Sequence, residues 1–599
     1  MLRELLPHAL KAVWRGRVEL FWPIWTAIAT VSAIAVAWVV GHATAPVAPE
    51  VRKSPIPRAG TPRSAWRGPL TASALLALFL VCYIALMLRW EDFAYYDNSY
   101  FTLFSLRGLN YAPPIWQSSG RFFPLCHQEF NLIRHFTGTV IGYHALPMLQ
   151  LLILSGILLM LDDELSVQAR AGLIVFLLIT PGIVISFGGL IYPERNVVFC
   201  LACLLLFVKR FEQTHFTPWA VAAVISAQIM IYEKETAFLL LLGLAIGRLA
   251  WGCWNRDLGV WDFKRLRDKE RRLDLCLASL AMLFLLYYAA VMHPRPKAYY
   301  GDRLRLSLAE SVLSYMKLDL FAWLFAAFAL GRIYLILRRR IEPLPFWDGL
   351  ALGGLACFAG YVCLGLSSPY YLAPVDLIAV LYVGRFVILA WAQWSLRSRL
   401  ALAVLMGALL LQGVSISALS LFQRKNLIHA KDGIARVVEA RYQGGGAQRL
   451  FFPFASPYVV SEFAAYLNYR GIPVEGVTTE PAGLNRVSMV GSAVTKDGPC
   501  VGYLSVICHP GSSPALGDLV VVLPDDDASL AEAVPYRNPE ELLFSYEPHP
   551  RIPQWSRPLL AHLRIASPLF NPNGPAVQGT SAHTVLPDRW LDASVSVWQ

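Results

Sequence analysis

The chain has 599 residues, of which 56% are hydrophobic and only 16% charged, against roughly a quarter charged in soluble domains. That composition, with a mean hydropathy of +0.48, excludes a globule bathed in water on all sides. A net charge of +11 would also suit nucleic acid. Basic loops between membrane spans explain it better, and no nucleic-acid partner is expected.

Runs of about 18 or more apolar residues, enough for a roughly 30 Å hydrocarbon core, recur along the first 420 positions. The expected spans are 21–41, 70–89, 139–161, 171–191, 196–209, 217–232, 237–253, 273–292, 318–337, 349–366, 372–393 and 399–421. The first is too long for a signal-peptide core and lacks a cleavage site, so it reads as a retained span. The fold class is therefore mainly α: a polytopic bundle of about 11–12 spans, with a C-terminal extracytoplasmic α/β or mainly β domain. Three domains are expected: 1–69, a first span and basic linker; 70–421, a transmembrane catalytic domain; and 422–599, a soluble domain.

The connections alternate. VRKSPIPRAGTPRSAWR (51–67), NRDLGVWDFKRLRDKERR (255–272), LRRR (337–340) and SLRSR (395–399) are short and basic, which places them in the cytoplasm. The others are aromatic and richer in acid, and face outward: 90–138, the tips IYPERN (191–196), YEKET (232–236) and SSPYY (367–371), 293–317, and all beyond 421. The first span fits least well. A cytoplasmic 42–69 puts the N-terminus outside, while Arg3, Lys11, Arg15 and Arg17 favour the inside.

Charges this close to hydrocarbon are costly and mark functional sites. In loop 90–138, Asp97 stands beside Asn98 just past a membrane boundary, and Arg121 lies in GRFFP. Glu194 and Arg195 occupy one outward tip; Glu233, Lys234 and Glu235 occupy the next. Tight polar turns with snorkelling side chains are the plain alternative. Read together, the cations suit a phosphate and a carboxylate suits a hydroxyl that must lose its proton. The rings, Tyr370 and Tyr371 among them, suit the faces of sugars. Phosphate, hydroxyl and sugar on one membrane face point to glycosyl transfer from a polyprenyl-phosphate sugar.

On these motifs the chain resembles the GT-C superfamily of membrane glycosyltransferases, which includes protein mannosyltransferases, aminoarabinose transferases and arabinofuranosyltransferases. In that superfamily a long outward loop after an early span holds an acidic motif, matched here by Tyr96-Asp97-Asn98 with Asn98 in place of a second acid. Glu194 in YPERN matches a second acidic motif, YEKETAF is similar to a Lys-Glu turn, and SSPYYLAP (367–374) resembles a late aromatic-Leu-Pro turn. The resemblance covers about 70–421. It implies an inverting transfer with Asp97 as base, and Arg195 and Lys234 on the leaving phosphate. Arg121, Glu194, Glu235, Tyr370 and Tyr371 would complete the substrate site, with Arg295 and Lys297 second-rank phosphate candidates. No metal is expected, because Asn98 breaks the acidic pair, and no other cofactor. The implied partners are a polyprenyl-phosphate sugar donor, a cell-envelope acceptor and the lipid bilayer. The implied place is a bacterial inner membrane, multi-pass, with the C-terminal domain periplasmic. A transporter or flippase of lipid-linked sugars is the alternative; such proteins show internal repeats, and none is found.

The ten cysteines show no metal spacing. Most lie in apolar runs, whereas Cys500 and Cys508 fall in the tail and are open to a disulfide or to two thiols. In the tail, RLFFPF, SPYVVSEFAAYLNYRG and IPVEGV read as strand, helix, strand. VGYLSVIC, DLVVVL, ELLFSY and HTVLPDRW read as further strands.

Overall fold

A computed structural model describes residues 67–89, 91–93, 98, 105–107, 110–111, 115–116, 121–255, 259–291, 307–365, 368–444, 449–452, 457–472, 475–478 and the strands 506–508, 519–522, 542–546 and 595–598. The expected first span, Asp97, Arg295, Lys297, Cys500 and HTVLPDRW lie outside them, as does the side chain of Cys508.

In chain order, α1 is Arg67–Arg89, β1 Ile115–Trp116, β2 Arg121–Phe122, α2 Gln128–Ile133, α3 Val140–Leu161, α4 Val167–Leu178, α5 Pro181–Gly188, α6 Glu194–Thr214, α7 Thr217–Glu233 and α8 Ala237–Cys253. After the short pair β3 (Trp254–Asn255) and β4 (Val260–Trp261) come α9 (Lys269–Val291), α10 (Leu308–Leu318), α11 (Leu320–Leu337), α12 (Pro345–Leu364), α13 (Ala373–Ala390) and α14 (Leu396–Gln443). Seven helices among the described residues are long and apolar enough to cross a membrane, or eight if α4 and α5, bent by 68° at their break, form one span. The chain is a mainly helical, multi-pass membrane protein.

The count is lower than the sequence suggested, for physical reasons. Helix α6 carries Glu194, Arg195, Lys209, Arg210 and Glu212, and α7 and α8 have 17 residues each, about 25 Å at 1.5 Å per residue. All three nonetheless lie in the single large apolar core of the bundle. The α4–α5 bend has a local cause: Thr180-Pro181 opens α5, and proline both lacks the N–H and disfavours helix in the residue before it.

Helices α8 and α12 approach backbone to backbone. Each carries glycines four apart, Gly243 and Gly247 on one and Gly349 and Gly353 on the other. A methyl on Gly247 would stand 2.8 Å from Gly349 Cα, and one on Gly243 2.9 Å from Gly353 Cα. Small residues at this spacing let membrane helices close in where no hydrophobic force between them exists. Their antiparallel run delivers the turn before α8 to the turn after α12.

Helix α14 is 48 residues long, about 72 Å, and crosses position 421 unbroken. Its second half packs on the tail: Ala430, Ile434, Ala435 and Val438 share a core with Leu450, Phe452, Phe463, Leu467 and Val521. Phe93, Phe130, Tyr143 and Leu190 of the bundle belong to that same core, so the tail sits directly on one end of the bundle, below called the tail end. The tail is α/β. Strand β5 (Arg449–Phe452), helix α15 (Pro457–Tyr469), and strands β6 (Glu475–Thr478), β7 (Val506–Cys508), β8 (Leu519–Val522), β9 (Leu542–Tyr546) and β10 (Val595–Trp598) build a six-stranded sheet ordered β7-β6-β5-β8-β10-β9. The first four are parallel neighbours and β10 is antiparallel to β8 and β9. Within β5, Leu450 and Phe452 face the α14 core while Phe451 packs on Val520, the alternation a strand imposes.

Candidate active site

Every expected site residue that the structure describes lies at the tail end, in two layers. The outer layer is built on the α8–α12 junction. Tyr361, near the end of α12, shares a 2.6 Å hydrogen bond with Thr236 of the YEKET tip. The 3-10 turn Pro369–Leu372 then sets three rings in series: Tyr361 against Tyr371 at 5.0 Å, Tyr371 against Tyr370 at 4.3 Å, and Tyr370 against Tyr192 at 4.5 Å. Lys234, buried, holds Nζ 5.2 Å from the Tyr371 ring and 5.3 Å from that of Phe123. The Arg121 guanidinium lies 4.6 Å from the centre of the same Phe123 ring, and its Nε is 3.1 Å from Glu235.

Glu194 stands in the first turn of α6 rather than in a loop, where a negative charge complements the helix N-terminus. It is wholly buried, with Oε1 3.1 Å from Lys234 Nζ. Beyond that contact, Glu194 Oε2 and Glu235 Oε2 have no hydrogen-bond donor among the described residues. A buried carboxylate oxygen without a donor is expensive. Hydroxyls of a bound ligand would supply the missing donors.

The inner layer is closed. Arg195, fully buried, reaches Glu129 at 2.5 Å and the carbonyls of Leu190 (2.5 Å) and Gly189 (3.2 Å), with its guanidinium 5.0 Å from the Phe130 ring. Asn196 donates to Glu129 and to Glu233, each at 3.0 Å, and accepts from Gln150 at 2.9 Å. Arg195 therefore braces the tip that carries Glu194 and does not open onto the outer layer. Tyr192 and Phe123 do belong to the outer layer, yet their neighbourhoods show no pattern that marks them. Glu129 shares its segment with apolar residues and is equally silent.

Two groups on the first loop are tuned by burial. His127, held at φ 64°, has its pKa pushed well below the ordinary value by burial and then by Arg195 and Lys234, so it is a neutral ring at neutral pH. Cys126 lies among Glu233, Glu129 and Lys234, and burial drives its thiol well up, which leaves it an unreactive thiol. Asn98, neighbour of Asp97 in sequence, is buried and accepts from the Leu190 N–H at 3.0 Å. This fastens the first loop to the YPERN tip. No group of three or more His, Cys, Asp or Glu side chains among the described residues is placed to hold a metal ion.

No family model matches the chain and no curated protein does. One solved structure to which it is similar is the crystal structure of ArnT from Cupriavidus metallidurans bound to undecaprenyl phosphate. The TM-score is 0.45 and the identity 13%, over 77% of this chain and 94% of that one.

Proposed function

We propose that the protein is a membrane glycosyltransferase that moves a sugar from a polyprenyl-phosphate donor to a hydroxyl of a cell-envelope acceptor, at the outer face of a bacterial inner membrane. The observation that carries this reading is the outer layer: a buried cation, Lys234, flanked by the rings of Phe123 and Tyr371 and paired with Glu194 Oε1 at 3.1 Å, beside Glu194 Oε2 and Glu235 Oε2, which lack donors among the described residues. Lys234 and Arg121 offer charge to the donor's phosphate. The glutamates offer acceptors to sugar hydroxyls, and Tyr370 and Tyr371 offer ring faces.

In the step proposed, Asp97 takes the proton of the acceptor hydroxyl. That oxygen forms a bond to the anomeric carbon from the side opposite the phosphate. The bond from carbon to phosphate oxygen breaks, and polyprenyl phosphate leaves with the electron pair. Inversion follows from this single displacement. Lys234 stabilises charge growing on the leaving phosphate, where a preorganised cation contributes most. Its distance to Glu194 would lengthen as the phosphate arrives. Arg195 takes a bracing role in this reading, behind the site.

The test uses membranes containing the wild type, Asp97→Asn or Lys234→Met, supplied with a panel of radiolabelled polyprenyl-phosphate sugars. Wild-type membranes should pass label to an envelope fraction. Asp97→Asn should reduce this by about 10²–10⁴-fold, the range of a lost general base, and Lys234→Met by about 10²–10³-fold. Equal labelling with all three would overturn the reading. Movement of intact donor across the bilayer, unchanged by Asp97→Asn, would favour a flippase.

A further inference from the structure

The first outer loop begins at a buried contact that the proposed chemistry does not use. Glu91, two residues past the end of α1, meets Arg424 of α14 in a close ion pair, and its other oxygen lies 3.2 Å from His144 Nε2 of α3. The three side chains are 1%, 3% and 0% exposed. Sequence positions 91, 144 and 424 thus converge on one enclosed point, and α14 is the helix whose second half carries the tail.

Arg424 reaches that point only because α5 ends in glycine. A methyl on Gly188 would lie 2.1 Å from Arg424 Nη2 and 2.5 Å from Nη1. The next two residues, Gly189 and Leu190, give their carbonyls to Arg195, and Leu190 N–H is bound by Asn98. Above the ion pair the tail touches the same loop again. Tyr466 OH is 3.4 Å from Asp92, the rings of Tyr469 and Phe93 meet edge-on at 5.2 Å, and Tyr469 OH donates to Gly138 O at 3.3 Å.

We propose that Arg424 is a positioning residue that couples the tail to the candidate active site: it pins the start of the first outer loop, at Glu91, to the helix bearing the tail and to the end of α5. The physical logic is economy of freedom. A loop entering a site at a membrane boundary must be held to well under an ångström for in-line transfer, and small misplacements cost orders of magnitude. Burial makes the contact a rigid anchor whether Glu91 is ionised or protonated, because in either form its oxygens receive the Arg424 guanidinium, and releasing them leaves that cation unpaired in a low dielectric. The planar fork of arginine adds direction that lysine cannot. Arg424 touches no substrate in this proposal; it acts through Glu91 and the backbone after Gly188.

The proposal rests on the glycosyltransferase reading for its activity readout but not for its structural one. Full-length wild type, Arg424→Gln, Arg424→Lys, Glu91→Ala, Gly188→Ala and the double Arg424→Gln/Glu91→Ala would be purified in lipid nanodiscs. Hydrogen–deuterium exchange would be followed in peptides spanning 91–98 and 186–196, with 162–174 at the opposite end as control. Each single variant should raise exchange in the first two peptides and leave the control unchanged. The double should exchange no faster than Arg424→Gln alone, because both changes remove one contact. With a donor found active, Arg424→Gln should lower kcat about tenfold or more while KM for the donor stays within about twofold, and Arg424→Lys should recover only part of it. Unchanged exchange in Arg424→Gln and Glu91→Ala would overturn the proposal, as would additive effects in the double. Should Arg424→Gln fail to accumulate, Glu91→Ala and Gly188→Ala probe the same contact from the other two sides. Loosened peptides with no transferase activity in the wild type would sink the enzyme reading and leave the coupling standing.

Discussion

The two ends of the helical bundle both bury charge, and they treat it differently. At the end away from the tail, each carboxylate oxygen of Asp162, Asp274 and Asp348 accepts a hydrogen bond. Asp348 takes Arg332 (2.6 and 3.2 Å), Tyr382 (2.7 Å) and the Leu344 N–H (2.6 Å). Asp274 takes Arg248 at 2.6 Å and Arg271 at 2.7 Å, and Asp162 takes Arg385 at 2.9 Å and the Glu164 N–H at 3.1 Å. At the tail end, Glu194 Oε1 faces Lys234 Nζ at 3.1 Å, while Glu194 Oε2 and Glu235 Oε2 lack donors among the described residues. A buried carboxylate oxygen without a donor in a well-packed protein calls for an explanation, and a ligand that completes the set is one.

If that contrast is right, substitutions at the two ends should separate stability from activity. The largest effect is expected at the opposite end. Arg332→Met would leave Asp348, wholly buried, without its cation, a loss on the order of 3–5 kcal/mol. A melting curve in detergent should drop steeply, while transfer per folded molecule at low temperature stays near the wild type. A variant that melts normally but has lost transfer would break the comparison, because a strut would then be part of the chemistry.

Glu194→Gln should act on activity more than on stability. The amide keeps the size of the side chain but takes the charge from the 3.1 Å contact with Lys234, so some fall in melting temperature is expected. A ligand hydroxyl that donates to the carboxylate would lose about 1.5–3 kcal/mol, which is roughly a 10- to 150-fold fall in kcat/KM. Donor titrations at matched protein loading read this directly. Loss of stability with unchanged kcat/KM would make Glu194 a strut like Asp348.

How much of this could be read from the sequence differs by level. Membrane class was legible, and so was the kinship of the YPERN, YEKET and SSPYY tips that the structure brings to one end of the bundle, since apolar run length and loop charge are one-dimensional properties of the chain. The roles within the cluster were not. Arg195 and Lys234 look alike as cations at membrane boundaries, yet a helix start at Glu194 turns Arg195 inward onto Glu129, while the cap position of Lys234 turns it toward the rings. Only the three-dimensional path separates them. The reason YEKET and SSPYY meet was present but unread: glycines four apart, 243/247 and 349/353, are a packing signal. Arg424 gave no signal, being one basic residue in QRKN within a 48-residue helix. Its significance depends on Gly188, 236 positions earlier, having no side chain.

The finest test of the contrast lies in pH. Glu91 faces Arg424 and His144, with Asp92 beside it. Burial pushes its carboxyl up from 4.5 to about 8, although Arg424 pulls the other way. A carboxyl whose folded pKa exceeds its unfolded one binds its proton more tightly when folded. Its stabilising contribution is therefore complete below about pH 4.5 and is lost as pH rises through about 8. Glu91→Gln holds this position neutral at every pH. The melting temperature of the wild type should accordingly fall relative to Glu91→Gln as the buffer is moved from about pH 5 to about pH 9, with most of the change complete near 8. A flat difference for Glu91 would place it with the satisfied struts, and the division between the two ends of the bundle would then run between Glu91 and Glu194 instead of along the membrane.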